Sequence, residues 1–146
     1  MKSKIKKFKF QNIDLFYKRF YSIVDTSVNF DLVFRCPIET RGSFFGKIEF
    51  GNFTVYGIKN FFLNKTTLLR IDGKVNDSNE VSFKYSIPYL WLIIINNLMP
   101  LIFSFPLILF NFLLGSIVLI GTIIQIIWYI RQIEILKEKF MMIFKQ

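Results

Sequence analysis

The chain of 146 residues contains no histidine and no alanine, and its single cysteine is Cys36. Without histidine, neither a Ser-His-Asp nor a Cys-His catalytic arrangement can be built, and imidazole-ligated metal sites are excluded. One cysteine forms no intrachain disulfide and no thiolate metal cluster. Cys36 also lies in an alternating apolar run, where a thiol behaves as a small buried hydrophobe. Glycine is sparse and chemically quiet. Gly42, Gly46, Gly51 and Gly57 fall at turns and strands, without the strand–loop–helix setting of a phosphate cradle. Glu39, Glu49, Asp72, Asp77 and Glu80 are spread over expected turns and polar strand faces, and no pair has the local spacing of a metal motif. These absences predict a protein that is not an enzyme and holds neither cofactor nor metal.

Charge is missing from one long stretch. From Tyr85 to Ile130 the chain runs 46 residues without a charged side chain. As one helix that run would measure about 69 Å, more than twice a ~30 Å hydrocarbon core. Two helices joined by a short turn fit well. The first span is expected at 89–105, kinked at Pro100, where a backbone donor is lost. The turn is expected within 104–111, using Pro106 or Asn111, and the second span at 112–130. Tyr89 and Trp91 at one end, and Trp128 and Tyr129 at the other, sit where interfacial aromatic belts form.

Polar residues inside the spans are few. Asn96, Asn97 and Gln125 lie at similar depth, so amides on antiparallel neighbours are expected to meet, a contact contributing roughly 0.6–2 kcal/mol. The competing reading is a polar lining in an oligomer. No ionisable residue interrupts the run, so a proton relay or charge-coupled pump has no basis. Gly115, Ser116, Gly121 and Thr122 form a small-residue stripe suited to close helix packing.

What charge there is flanks the apolar run. The formal net charge is +9. Residues 1–20 hold seven Lys or Arg against Asp14; residues 131–146 hold four against Glu134 and Glu138. This pattern predicts positive-inside topology, with Lys2, Lys4, Lys6, Lys7 and Lys9 as candidate contacts to anionic lipid headgroups. Nucleic acid is not an expected partner, because the basic residues flank the spans instead of forming a module. The basic start lacks the uninterrupted apolar stretch of a signal peptide, so it is expected to stay on the side of synthesis. Phe occurs 19 times. A composition rich in Phe, Ile, Lys and Asn is that of an AT-rich coding sequence, so no single Phe is read as a functional signal.

Ahead of the spans, Asn12 suits an N-cap. Ile13, Phe16, Tyr17, Phe20, Tyr21 and Val24 follow on one helical face. That face either packs on the neighbouring domain or lies in the headgroup layer. From residue 27 the period becomes two. Val28, Phe30, Leu32, Phe34 and Cys36 make a half-buried strand ended by Pro37. A hairpin turning at Gly51–Asn52 suits type II′ and pairs Phe50 with Phe53, Glu49 with Thr54 and Ile48 with Val55. Residues 68–75 and 81–87 make a second pair across the turn formers 76–79. Residues 58–67 fit neither period, and four to six antiparallel strands are expected in all. After the spans, Ile133, Leu136, Phe140 and Ile143 keep helical spacing, predicting an amphipathic helix over the cytosolic surface.

The expected fold is a membrane α+β protein, a small antiparallel β-domain followed by a two-helix transmembrane hairpin. Its segments are a basic N-terminal segment with an amphipathic helix (1–25), a cytosolic β-domain (26–87), the hairpin (88–130) and an amphipathic cytosolic tail (131–146). In organisation it resembles small bacterial membrane proteins that join a β-rich domain to a transmembrane hairpin, a likeness that implies no activity. The expected role is a non-catalytic scaffold or regulatory subunit in the cell's inner membrane, with both termini cytosolic. Its expected partners are the bilayer, anionic headgroups and another protein or a second copy of itself. The alternative is a small subunit of an oligomeric channel or transporter.

Overall fold

A computed structural model describes residues 5–27, 42–61, 64–76, 78–88 and 90–144, with backbone only at 59–61, 64–66 and 90–92. The strand expected at 28–36, with Cys36 and Pro37, lies outside the described residues, as do Lys2, Lys4, Asp77 and Tyr89. The chain divides into two compact units. Met1–Pro88 with Ile135–Gln146 form the first, and Tyr89–Glu134 form the second.

The first unit is a six-stranded, mostly antiparallel sheet covered on one face by helix. Its strands are β1 (Lys6–Lys9), β2 (Val24–Asp25), β3 (Phe44–Glu49), β4 (Asn52–Phe61), β5 (Asn64–Val75) and β6 (Glu80–Ser86). They lie in the order β1-β6-β5-β4-β3-β2, and only β2–β3 is parallel. Because β1 and β2 point the same way at opposite edges, they need a crossover. Helix α1 (Ile13–Ile23) supplies it. Asn12 caps it as expected, with extended backbone and its side chain accepting from the Asp14 N–H at 2.8 Å. Asp14 also suits the positive end of the helix dipole. Phe16 and Phe20 are fully buried, so this face packs on the sheet and not in a headgroup layer.

β1 was not expected, yet Phe8 and Phe10 alternate with Lys7 and Lys9 in the strand period. Phe8 stacks on Phe83 across the β1–β6 pair and on Phe144, while Lys7 meets Glu80 at 3.1 Å on the opposite face. Half-burial of these aromatics is what turns a lysine-rich start into a strand.

The β3–β4 hairpin differs from expectation by one position. Glu49 pairs with Asn52, Ile48 with Phe53 and Lys47 with Thr54, so the turn residues are Phe50 and Gly51. Both have positive φ, +48° and +76°, the type I′ arrangement whose twist matches the flanking strands. Within β3, a Cβ on Gly46 would come within 2.8 Å of the Val55 Cα, so the two strands approach closely there. At the turn, the Val75 N–H donates to the Gly51 carbonyl at 2.7 Å. Phe50 is left wholly exposed.

Residues 58–67 matched no period because of a bulge. Gly57 pairs with Leu69 but Ile58 with Thr67, which leaves Leu68 as the extra residue of β5. A bulge shifts the alternation by one, and Leu68 and Leu69 are both buried in succession. Beyond it β4 and β5 continue as one long hairpin. The β5–β6 turn across residues 76–79 agrees with expectation, with Asn79 at φ +59°.

Helix α2 (Leu90–Phe110) and helix α3 (Phe112–Met141) follow, the latter ending in a 3-10 turn, Met142–Phe144. At ~1.5 Å per residue they are about 31 and 45 Å long. Both are long and apolar enough to cross a membrane. α2 absorbs Pro100 and Pro106 and runs beyond the expected end at 105. The break falls at Asn111 alone. Its N–H donates to Leu107 (2.7 Å), its carbonyl accepts from Gly115 (3.0 Å), and its side chain accepts from Leu114 (3.2 Å). One residue thus closes α2 and caps α3. A Cβ on Gly115 would fall on the backbone nitrogen of Ile108. Seven residues along a continuous helix are about 10.5 Å apart, so the chain turns back sharply here.

The expected surface tail is the main correction. Leu136, Phe140 and Ile143 are fully buried in the first unit. Phe140 lies against Phe44 (centroids 5.9 Å), Phe53 (6.4 Å), Phe83 (5.5 Å) and Phe144 (5.9 Å). Its apolar stripe finds the uncovered half of the sheet, where burial of an aromatic gains more than a place on a surface.

Two outcomes follow. Phe140→Ala removes a ring packed against four others, and should destabilise the sheet unit by about 3–5 kcal/mol, read by denaturant unfolding of the full chain in detergent. In the turn, Phe50→Asn should stabilise that unit and Gly51→Val should destabilise it, each by about 1 kcal/mol, because the first relieves and the second adds left-handed strain.

Candidate functional site

The second unit is built with apolar groups outside. Among its exposed side chains are Ile94, Leu98, Ile102, Phe105, Leu109, Leu113, Ile117, Ile120, Ile124 and Ile127, whereas Asn97, Ser104 and Thr122 are buried. Soluble monomers rarely expose contiguous apolar surface on this scale. Three of the buried polar side chains donate along their own helix. Asn97 Nδ2 donates to the Ile93 carbonyl at 2.7 Å, Ser104 Oγ to Leu101 at 2.7 Å, and Thr122 Oγ1 to Val118 at 2.8 Å. Of the expected amide cluster, Asn96 is exposed and Gln125 half-buried. The Asn97 amide bonds within α2, and its Oδ1 is buried without a partner among the described residues. Of the small-residue stripe, Gly115 makes a close approach to α2, whereas Gly121 faces open space.

On the first unit, one sheet face carries the main core, and the other carries polar side chains beside Phe45 and Tyr56, which are buried and stacked on each other at 5.3 Å. Lys47, Thr54, Asp72 and Lys84 stand side by side on β3, β4, β5 and β6. Thr54 Oγ1 donates to Asp72 Oδ1 at 3.2 Å, and Arg70 Nε meets the same oxygen at 2.9 Å. Burial lowers the Arg70 pKa, but the hydrogen bond and charge of Asp72 outweigh it and leave the guanidinium raised. Such exposed pairs contribute little stability. Lys74 and Lys84 lie on the same face.

The lysines of β1 divide between the two faces. Lys7 and Lys9 take the polar side, Lys7 in its ion pair with Glu80. Lys6 reaches the other way, its Nζ 5.5 Å from the centre of the Tyr85 ring. Lys137, from the end of α3, places its own Nζ 5.9 Å from the same ring. Tyr85 rests edge-on against Phe83, and burial pushes its phenol up to about 12. Among the described residues, neither Lys6 nor Lys137 is ion-paired with a carboxylate. Sequence reasoning named Lys6 but missed Tyr85 and Lys137, since only the fold brings residues so far apart together.

A surface pocket of about 300 Å³ opens between α1 and the two hairpin tips, lined by Ile13, Tyr17, Phe50, Gly51, Val75, Asn76 and Asn79. It offers amides and a phenol, but no acid–base pair or nucleophile among the described residues.

No family model, no curated protein and no solved structure matches the chain.

Because Asn97 bonds within its own helix, Asn97→Leu and Gln125→Leu should act independently. A double-mutant cycle on detergent unfolding should give a coupling below about 0.5 kcal/mol, whereas a larger coupling would mean that the two amides meet.

Proposed function

We propose that this chain is a non-catalytic integral membrane protein, anchored by α2 and α3 as a hairpin and presenting its sheet unit at the cytosolic face as a scaffold or regulatory subunit. The observation that carries the reading is the composition of the first unit. Residues 1–88 precede the two apolar helices and residues 135–146 hold the end of α3 and the turn after it, yet both belong to one folded body. A folded body lies on one side of a bilayer. If α2 crosses outward, α3 must return. The outward-facing apolar side chains and inward polar ones of the second unit support immersion in lipid, where unsatisfied backbone and side-chain groups are costly.

The side is argued from charge. The corner around Asn111 has no Lys or Arg, whereas Lys84 and Arg131 bracket the apolar run, so the sheet unit is assigned to the cytosol and the protein to the cell's inner membrane. The non-catalytic reading rests on the missing histidine, the single cysteine and the absence of a nucleophile–base pair among the described residues. The sheet face that carries Lys47, Lys74 and Lys84 is the surface offered to a partner.

Cysteine-accessibility labelling in intact cells tests this, in a Cys36→Ser background. Leu109→Cys should react with an impermeant maleimide from outside, while Lys2→Cys and Gln146→Cys should react only after permeabilisation. Labelling of either terminus from outside would overturn the orientation. Release of the protein from membranes by alkaline carbonate would overturn the anchoring itself.

A further inference from the structure

We propose that Lys6 and Lys137, both held near the Tyr85 ring, form a binding site for a phosphate group, and that its source is the headgroup of an anionic glycerophospholipid. The inference rests on the reading that α2 and α3 cross a bilayer, and it names which cations of the sheet unit meet that bilayer's surface.

Three observations lead to it. The two ammonium groups, 5.5 and 5.9 Å from one ring centre, come from β1 and α3, residues 131 positions apart in the chain. Folding draws like charges to one aromatic platform, and among the described residues no carboxylate pairs with either. An anion with several oxygens relieves that repulsion and accepts hydrogen bonds from both. Next, Tyr85 does not compete. Its hydroxyl is buried and stays protonated into strongly alkaline solution, so the ring acts as a neutral support whose π-face attracts cations. Tyr85 is therefore a positioning residue.

Distance along the chain then selects the source. Tyr85 is five residues from Leu90, the first residue of α2, at most about 18 Å even if fully extended. Lys137 stands six residues past Arg131 on the unbroken helix α3, about 9 Å along its axis. The headgroup layer extends about 5–8 Å beyond the hydrocarbon on each side. For Lys137 the remaining few ångströms are within reach of its side chain, and Lys6 shares the same ring. Lys74 and Lys84, by contrast, occupy the opposite sheet face, with no second cation converging on a shared ring among the described residues.

The test uses the full chain in nanodiscs, with thermal unfolding followed by near-ultraviolet circular dichroism. Phosphatidylcholine discs are compared with discs containing a minority of phosphatidylglycerol, and with phosphatidylcholine discs in millimolar inorganic phosphate. Phosphatidylglycerol should raise the wild-type Tm by about 4 °C. The increment should largely vanish in Lys6→Gln/Lys137→Gln, persist in Tyr85→Phe, which keeps the ring, and persist in Lys74→Gln. A double variant that keeps the full increment overturns the site, as does a wild type that responds to neither additive. An equal shift with inorganic phosphate alone overturns the lipid as source. These results are independent of the labelling experiment, so the site and the membrane topology stand or fall separately.

Discussion

The packing of one aromatic ring sets the conditions for the rest of this structure. Phe140 fills the space between Phe44, Phe53 and Phe83, which come from three different strands, and leans on Phe144. Without it, half of the sheet's apolar face would be covered only by α1. A unit of this size has a small core and a small stability margin, so it depends on a helix that begins outside it. That dependence explains why α3 is 30 residues long, well beyond what crossing a hydrocarbon layer requires. Its first part is composed for an apolar surrounding and its last part for a protein interior, with Arg131 near the change.

The second unit solves a different problem. Its polar side chains do not bridge the helices but fold back onto carbonyls one turn earlier. This gives each of these donors a local acceptor and leaves helix contact to small residues and shape, as at Gly115 against Ile108. Asn111 completes the economy of the corner, since its backbone and side chain serve both helices and no loop is needed.

Much of this architecture was legible in advance, for identifiable reasons. A stretch without charge is a long-range signal that no local competition blurs, so both apolar helices and the place of their turn could be read. Asn12 and the turn at 76–79 were legible because caps and turns are local chemistry. The misses came where tertiary contact decided. Phe50 reads as a strand residue because a Phe at a left-handed turn position violates local preference; the pairing of Glu49 with Asn52 nonetheless puts it in the turn. The bulge at Leu68 erased the alternation that would have revealed the long β4–β5 hairpin. Lys6 to Lys9 read as a charge run because the apolar residues between them become meaningful only once Phe83 and Phe144 lie beneath. The apolar stripe of 133–143 was seen, but periodicity cannot tell which surface covers it. For the Lys6–Tyr85–Lys137 arrangement no sequence signal existed at all.

The position of Phe140 in the chain also imposes an order of events during synthesis. Residues 136–144 leave the ribosome only after residues 90–130, so the strands emerge before the residues that complete their core. Contacts such as Phe8 with Phe144 span nearly the whole chain, which makes the final closure slow relative to local hairpin formation. If α2 and α3 cross a bilayer as proposed, completion of the sheet unit would require the hairpin to return to its starting side, and a molecule whose second helix strayed would be left with unfinished strands.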